Sequence, residues 1–303
     1  MPKTPQSYPP PLSPRTWPLW PVVGLAWGLT RLPFRWQRWL GRGIGHLFYA
    51  LGRERRHITR VNIDLCFPEL SAAEREALVK AHFTSAGMGA LETVSGWWAA
   101  DRRFAGLYTL EGLEHLDAAL AQGHGVLLVS AHFTHLEFCA RILSLHRRFA
   151  AMYRPNRNQV LDYLFKRNRN YHTLGAIERN DIKGLLRSLK NNQPVWYAPD
   201  QAGRGKQFTL APFFGLPAAT QTATHRIAKV SGAPVLPFFG RRTPDGHYVL
   251  TIHPPLENFP GADSDQDAAR INAVMEEAIR LAPEQYFWSH RRFKGRPGLA
   301  DPY

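Results

Sequence analysis

The chain has 303 residues, 44% of them hydrophobic, enough for a sizeable core in one large domain or two small ones. Lys and Arg number 38 against 24 Asp and Glu, a formal net charge of +14, which calls for an anionic partner: nucleic acid, acidic lipid or an acidic carrier protein. Two cysteines, Cys66 and Cys139, exclude a disulfide framework and a Cys-x-x-Cys pair and fit a reducing compartment. Residues 1–14, rich in Pro and polar groups, read as a disordered tail. Thr16 to Thr30 carries no charge and includes Trp17, Leu19, Trp20, Val22, Val23, Leu25, Trp27 and Leu29. As a helix it would reach about 22 Å, short of a hydrocarbon core of about 30 Å, and Pro18 and Pro21 shorten it further. Whether it spans or only dips into a bilayer stays open, and it lacks the cleavage site of a secretory signal.

Pro33 suits the first turn of a new helix. Arg35, Arg38 and Arg42 then recur at helical spacing on one face, with Arg31 just before them and Trp36, Trp39 and Leu40 on the neighbouring face. Basic and aromatic stripes side by side suit a helix lying in the interface of an anionic membrane; a Trp stripe packed on its own domain is the plainer alternative. If the preceding segment spans, the Arg cluster places the body of the protein on the cytoplasmic side. Arg53 to Asn62 reads as a basic helix broken at Phe67-Pro68-Glu69, and Ser71-x-x-Glu74 is a capping box opening a helix through about Ala90. Trp97 and Trp98 then cover either the core or a binding site.

From Tyr108 the pattern alternates. Strands are expected at Gly125–Val129, Phe149–Tyr153, Val195–Tyr197, Val235–Phe239 and Tyr248–Ile252. Helices are expected at Leu136–His146, Leu161–Arg167, Asp181–Leu189 and Thr220–Val230, with a last one from about Asp265 to Leu281. Such alternation predicts an α/β fold, a mostly parallel central sheet flanked by helices on both faces and preceded by the N-terminal helical, membrane-associating segment.

Gly125 to Leu145 organises the chain. Val126 to Val129 is an uninterrupted apolar run, as in a strand buried on both faces of a parallel sheet. The chain then turns polar at Ser130, presents His132, His135 and Glu137, and resumes at helical spacing. Its loop therefore sits at the carboxyl end of a strand, where open α/β sheets place their chemistry. His132 and Glu137 would lie about 140° apart on a continuous helix, so they meet only if the chain bends between them. An imidazole so placed can take a proton from a hydroxyl while a carboxylate on its other nitrogen fixes the tautomer. The plainer reading is a loop histidine and a glutamate favouring a helix N-terminus.

His132-x-x-x-x-Glu137 after an apolar strand resembles the His-x4-Asp/Glu motif of glycerolipid acyltransferases. Downstream come Tyr153-Arg154-Pro155, Tyr197-Ala198-Pro199-Asp200-Gln201 and Pro212-Phe213-Phe214-Gly215-x-Pro217-Ala218-Ala219-Thr220, then Glu284-Gln285-Tyr286-x-Trp288-x-His290-Arg291-Arg292-Phe293-Lys294. With Asn62-x-x-Leu65-Cys66-Phe67-Pro68-Glu69, this ordered set resembles the bacterial lipid A biosynthesis acyltransferases, the late lauroyl and myristoyl transferases, from about Arg56 to Pro297. The resemblance implies a glycerol-3-phosphate acyltransferase-like fold, with 1–45 as tail and membrane-associating segment and 46–303 as the acyltransferase domain.

What the resemblance implies for the site is specific. His132, oriented by Glu137, removes the proton from a 3-hydroxyacyl hydroxyl of a Kdo-lipid IV(A)-type lipid A precursor, and the alkoxide attacks the thioester of an acyl-acyl carrier protein. Arg154 and Arg169, in a stretch that also holds Arg157, Lys166 and Arg167, bind the anionic lipid, since guanidinium forks suit phosphates and carboxylates. Asp200 belongs to the same site and orients either a basic residue such as Arg169 or a substrate hydroxyl. Thr220 caps a helix whose N-terminus could hold an anion or the acyl carbonyl oxygen; a turn packing Phe213 and Phe214 is the alternative. His135, His172 and His225 read as surface or packing residues. No metal site and no cofactor is expected, since no cluster has ligand spacing, and no nucleic-acid motif stands out. The expected place is the cytoplasmic face of the inner membrane. A glycerolipid acyltransferase using the same dyad, or a basic membrane-surface or nucleic-acid-binding protein without activity, are the other readings.

Overall fold

The computed structural model describes residues 9–203 and 208–303. Residues 1–8, most of the expected disordered tail, lie outside the described residues. The rest of that tail is tied down: Pro11 O accepts from Thr16 Oγ1 (2.7 Å) and Trp20 Nε1 (3.1 Å), and Leu12 O accepts from Trp17 Nε1 (2.9 Å).

Among the described residues the chain opens with α1 (Leu19–Leu29), α2 (Phe34–Leu51), α3 (Arg53–Cys66) and α4 (Ala72–Trp98). The capping box starts α4 as expected, with Ser71 Oγ accepting from Glu74 N (3.3 Å) and Glu74 Oε2 from Ser71 N (2.8 Å), but α4 runs on to Trp98, past Ala90. Residue 45 falls inside α2, which buries Gln37, Gly41 and Gly45 against α4. A Cβ on Gly87 of α4 would lie 2.2 Å from both Gly41 O and Gly45 N, so the two backbones are in direct contact. Turned away from α4, Trp36, Trp39, Leu47 and Leu51 are exposed. No described helix is long and apolar enough to cross a membrane.

The α/β body follows: β1 (Tyr108–Glu111), α5 (Leu113–Leu120), β2 (Val126–Val129), α6 (Leu136–His146), β3 (Ala150–Tyr153), α7 (Gln159–His172), β4 (Gly175–Glu178), α8 (Ile182–Lys190) and β5 (Pro194–Tyr197). It continues with β6 (Phe208–Phe213), β7 (Leu216–Gln221), α9 (Ala223–Ser231), β8 (Val235–Arg242), β9 (Tyr248–Ile252) and α10 (Ser264–Leu281). The main sheet of the described residues has the order β1-β9-β8-β2-β5-β3-β4. Its neighbours are parallel except β8 and β9, the one pair joined as a hairpin. The mostly parallel α/β sheet flanked by helices is thus present.

β2 shows why its run is continuously apolar. Leu127 and Val129 pack into a core with α8, α9 and α10, while Val126 and Leu128 pack on the opposite face with Leu116, Phe138 and Ile142 of α5 and α6. All four β2 side chains are buried, which removes the usual alternation.

One stretch differs from its expectation. Phe214 (φ 50°) and Gly215 (φ 73°) form a two-residue turn with positive φ at both positions, closing the antiparallel hairpin β6–β7. Thr220 is therefore a strand residue and not a helix cap: its hydroxyl donates to Ala218 O (2.9 Å) and accepts from Asn272 Nδ2 (3.0 Å), and α9 begins only at Ala223.

Candidate active site

Parallel pairing of β2 with β5 builds the site. Val129 stands opposite Tyr197, and Ser130 N donates to Tyr197 O (2.9 Å), extending the ladder past both strand ends. Three residues beyond Val129 comes His132; three beyond Tyr197 comes Asp200. The two meet: Asp200 Oδ1 lies 2.5 Å from His132 Nδ1, and Asp200 Oδ2 accepts from His132 N (2.9 Å). Asp200 is buried and also accepts from the Tyr286 hydroxyl, with the Arg292 guanidinium nearby.

Burial raises the pKa of Asp200, yet the charge and hydrogen bonds of His132 outweigh it and bring the carboxyl from 3.8 to about 2. For His132, burial pushes the pKa down, and the Asp200 charge and hydrogen bond overcome that, leaving it above 6.5. With Nδ1 occupied, Nε2 is the ring nitrogen left over, 3.4 Å from the Gln201 side-chain nitrogen. His132 and Gln201 line a cavity of about 510 Å³.

The loop bends as expected, with His132 in it and Glu137 in the first turn of α6. The expected partnership of His132 with Glu137 is not what the bend produces. The Glu137 carboxylate is held by Arg169 (Nη2, and Nε at 3.4 Å) and faces Trp97 Nε1 at 3.5 Å. The reason is steric and electrostatic: Asp200 already takes both the backbone N–H and Nδ1 of His132, while Glu137, in the first turn of α6, reaches Arg169 of α7. Arg169 accordingly pairs with Glu137 and not with Asp200. Trp97 covers this pair, its ring stacked edge-on with Phe165 at 4.8 Å.

The cavity has a charged side and an apolar side. Arg154 and Arg179, both exposed, line it together with Asn156 and Asp162, whereas Phe165, Leu136, Met152 and Phe287 give it apolar wall. Arg154 and Arg169 therefore sit at the same cavity as His132, as expected of substrate-binding residues. Gln201 and Arg179 were missed as site residues. Arg179 directly follows β4, and its backbone N–H bonds to Tyr153 O (2.8 Å), but a four-residue, half-exposed strand leaves little mark in a sequence.

A clamp holds the His132 loop. Thr134 N donates to Gln285 O (2.8 Å), Phe287 N donates to His132 O (2.8 Å), and Phe133 bridges to Tyr286. From the other side, Ser85 Oγ is 2.7 Å from Thr134 Oγ1, and a Cβ on Gly89 would stand 2.2 Å from Thr134 O. The Asn62 and Glu284–Lys294 motifs are neighbours: Asn62 Nδ2 donates to Trp288 O (2.6 Å) and His290 O (2.7 Å). Arg292 is buried, bonding Ala219 O (2.9 Å) and Thr220 Oγ1 (3.1 Å). His135 packs against Gln285 (2.9 Å) with burial bringing its pKa down to about 3, and His225 pairs with Asp267 (2.8 Å); His172 bonds Trp97 O (3.0 Å). Among the described residues no group of His, Cys, Asp and Glu is arranged to hold a metal ion.

A family model described as bacterial lipid A biosynthesis acyltransferase matches residues 5–295. The chain is similar to the lipid A biosynthesis lauroyltransferase of Escherichia coli (strain K12), 40% identical over 288 residues covering 94% of each chain. The palmitoleoyltransferase of the same organism is 38% identical over 288 residues, again 94% of each. A lipid A biosynthesis acyltransferase of Haemophilus influenzae is 35% identical over 305 residues, 99% of this chain and 97% of that one. The crystal structure of a 1-acyl-sn-glycerophosphate acyltransferase from Thermotoga maritima covers 84% of this chain and 99% of its own at 14% identity and a TM-score of 0.39, too distant a likeness to argue from.

Proposed function

Since the chain belongs to the bacterial lipid A biosynthesis acyltransferases, and is thus an acyltransferase, we propose that it moves a fatty acyl chain from acyl-acyl carrier protein to a 3-hydroxyacyl hydroxyl of a Kdo-lipid IV(A)-type precursor. The observation that carries this reading is the 2.5 Å pairing of His132 Nδ1 with Asp200, which leaves Nε2 for a hydroxyl entering the cavity of about 510 Å³. Nε2 takes the hydroxyl proton, and the oxygen attacks the thioester carbonyl carbon. The C–S bond then breaks, and the leaving thiolate takes the proton back from the imidazolium. Asp200 fixes the tautomer and stabilises that imidazolium. Arg169, held by Glu137, offers a fixed cation beside the reacting atoms, and Arg154 and Arg179 suit the phosphates of an anionic acceptor. No cofactor enters this scheme.

The enzyme acts, in this reading, at the cytoplasmic face of the inner membrane. Trp17, Trp27, Trp36 and Trp39 are exposed on and beside the first two helices, with Arg31, Arg35 and Arg42 also exposed. Aromatic rings beside guanidinium groups suit the interface of an acidic bilayer. Arg38 is an exception: its Nη1 is spent on Gly246 O (3.1 Å).

Replacing His132 with Ala is expected to lower kcat by about 10²–10⁴-fold and, since it leaves the buried Asp200 without its partner, to lower the melting temperature without loss of the fold. The assay uses purified enzyme, acyl-carrier donor and lipid A precursor, with lysophosphatidic acid as the competing acceptor. Near-normal turnover by the variant removes His132 from the chemistry; wild-type transfer to lysophosphatidic acid in preference to the precursor overturns the acceptor.

A further inference from the structure

The body of the protein carries a second cationic surface, remote in sequence from the N-terminal helices. Lys183, Arg187 and Lys190 of α8 fall within about 60° of one another around the helix axis and span about 10 Å along it. All three are exposed, while Leu185 and Leu189 on the opposite side are buried in the core. The neighbouring helix α9 adds Arg226 and Lys229, and neither α8 nor α9 contains an Asp or Glu.

Solvated helix faces usually mix signs, with acids three or four residues from bases; this one does not. The nearest acids in sequence are engaged elsewhere. Asp181 caps α8 by accepting from Gly184 N (2.8 Å), and Glu178 faces Lys166 (3.8 Å) and the Tyr153 hydroxyl (3.2 Å). Lys183, Arg187 and Lys190 make no ion pair among the described residues. Uncompensated like charges repel one another, a cost that an anionic partner would offset.

The position of the stripe narrows the partner. α8 starts three residues after Arg179, which lines the cavity, so the stripe begins at the lip of the site and leads away along the body. The exposed Trp residues that suit a lipid surface sit at the N-terminal helices, whereas Ile182 and Val230 are the exposed large apolar side chains of α8 and α9. A linear row of cations with little apolar surface matches an acidic helix better than a bilayer. We propose that the exposed face of α8, extended by α9, docks an acidic helix of the carrier protein that delivers the acyl thioester, aligning its acyl group with the cavity. This rests on the donor reading given above.

The test is the triple reversal K183E/R187E/K190E, residues that touch neither the cavity nor the reacting groups. With acyl-carrier donor and a fixed acceptor, KM for the donor should rise about tenfold or more while kcat stays within about twofold. The dependence of KM on salt should flatten, and sedimentation with phosphatidylglycerol vesicles should not change. An unchanged KM overturns the docking face, and so does a loss of vesicle binding, which would make α8 a lipid-facing element. If the reversal lowers the melting temperature, K183Q/R187Q/K190Q is judged by the same criteria. A wild-type enzyme that uses acyl-coenzyme A but ignores the carrier sinks the donor assignment itself, a result distinct from a variant whose KM does not move.

Discussion

Asp200 accepts from one histidine twice over, through ring and backbone, and this pairing decides how the site responds to pH. In the proposed mechanism a neutral His132 accepts the proton, and its pKa is raised above 6.5, so kcat/KM should fall as pH drops through that raised value. Asp200→Asn removes the opposing charge. The acid limb should move to lower pH while the plateau falls about 10²-fold or more; a limb that stays in place would exclude Asp200 as the partner. Stability follows the same pairing with definite signs. The raised His132 contributes fully below 6.5 and loses its contribution as pH rises through its folded value, whereas the depressed Asp200 contributes fully above 3.8 and loses that as pH falls toward about 2. The melting-temperature deficit of Asp200→Asn should therefore be largest between pH 3.8 and 6.5 and shrink above it. Both residues were legible in the sequence as polar groups ending apolar strands. Their partnership was not, because it depends on β5 lying next to β2, and strand order leaves no local trace. Glu137 was the nearer acid along the chain, and chain distance proved a poor guide to contact.

Helix α4 separates scaffold from site by two glycines two residues apart. At Gly87 an added methyl meets α2, and at Gly89 it meets Thr134 O, the backbone of the His132 loop, at 2.2 Å. Gly89→Ala should displace the His132 loop, and a shift of about 1 Å costs on the order of 10²-fold in rate. Gly87→Ala should instead pry α2 from α4, costing about 1–3 kcal/mol of stability with kcat nearly preserved. Paired melting curves and steady-state kinetics check this division; a Gly89→Ala enzyme of normal kcat would refute it. Apolar runs buried on both faces, such as β2, were readable from composition alone. β1 and β4 are four residues each and, but for Ile177, no side chain of theirs is fully buried, and the β6–β7 hairpin turns at Phe214 where the usual Asn-Gly signal is missing.

For the whole molecule, part of the basic excess behind the +14 net charge lies on two surfaces of different character, one mixing Arg with exposed Trp and one bare of aromatic groups. Trp36→Ala with Trp39→Ala should weaken binding to acidic vesicles about tenfold or more, since each ring removes apolar area from the buried face. Transfer to detergent-dispersed acceptor should be nearly unchanged. Vesicle sedimentation checks the first and product formation the second; undiminished vesicle binding would return the Trp stripe to a purely structural role. The charge total was plain in the sequence. Its division between two surfaces needed the packing of α8 and α9 beside one another.

Phe287 and Gln285 grip the His132 loop from a segment made hundreds of atoms later than the loop itself. During translation, a nascent chain would possess its histidine, its aspartate and its whole sheet before this half of the clamp existed. A product terminated before Gln285 would therefore carry the whole sheet with its His132 loop held on one side alone.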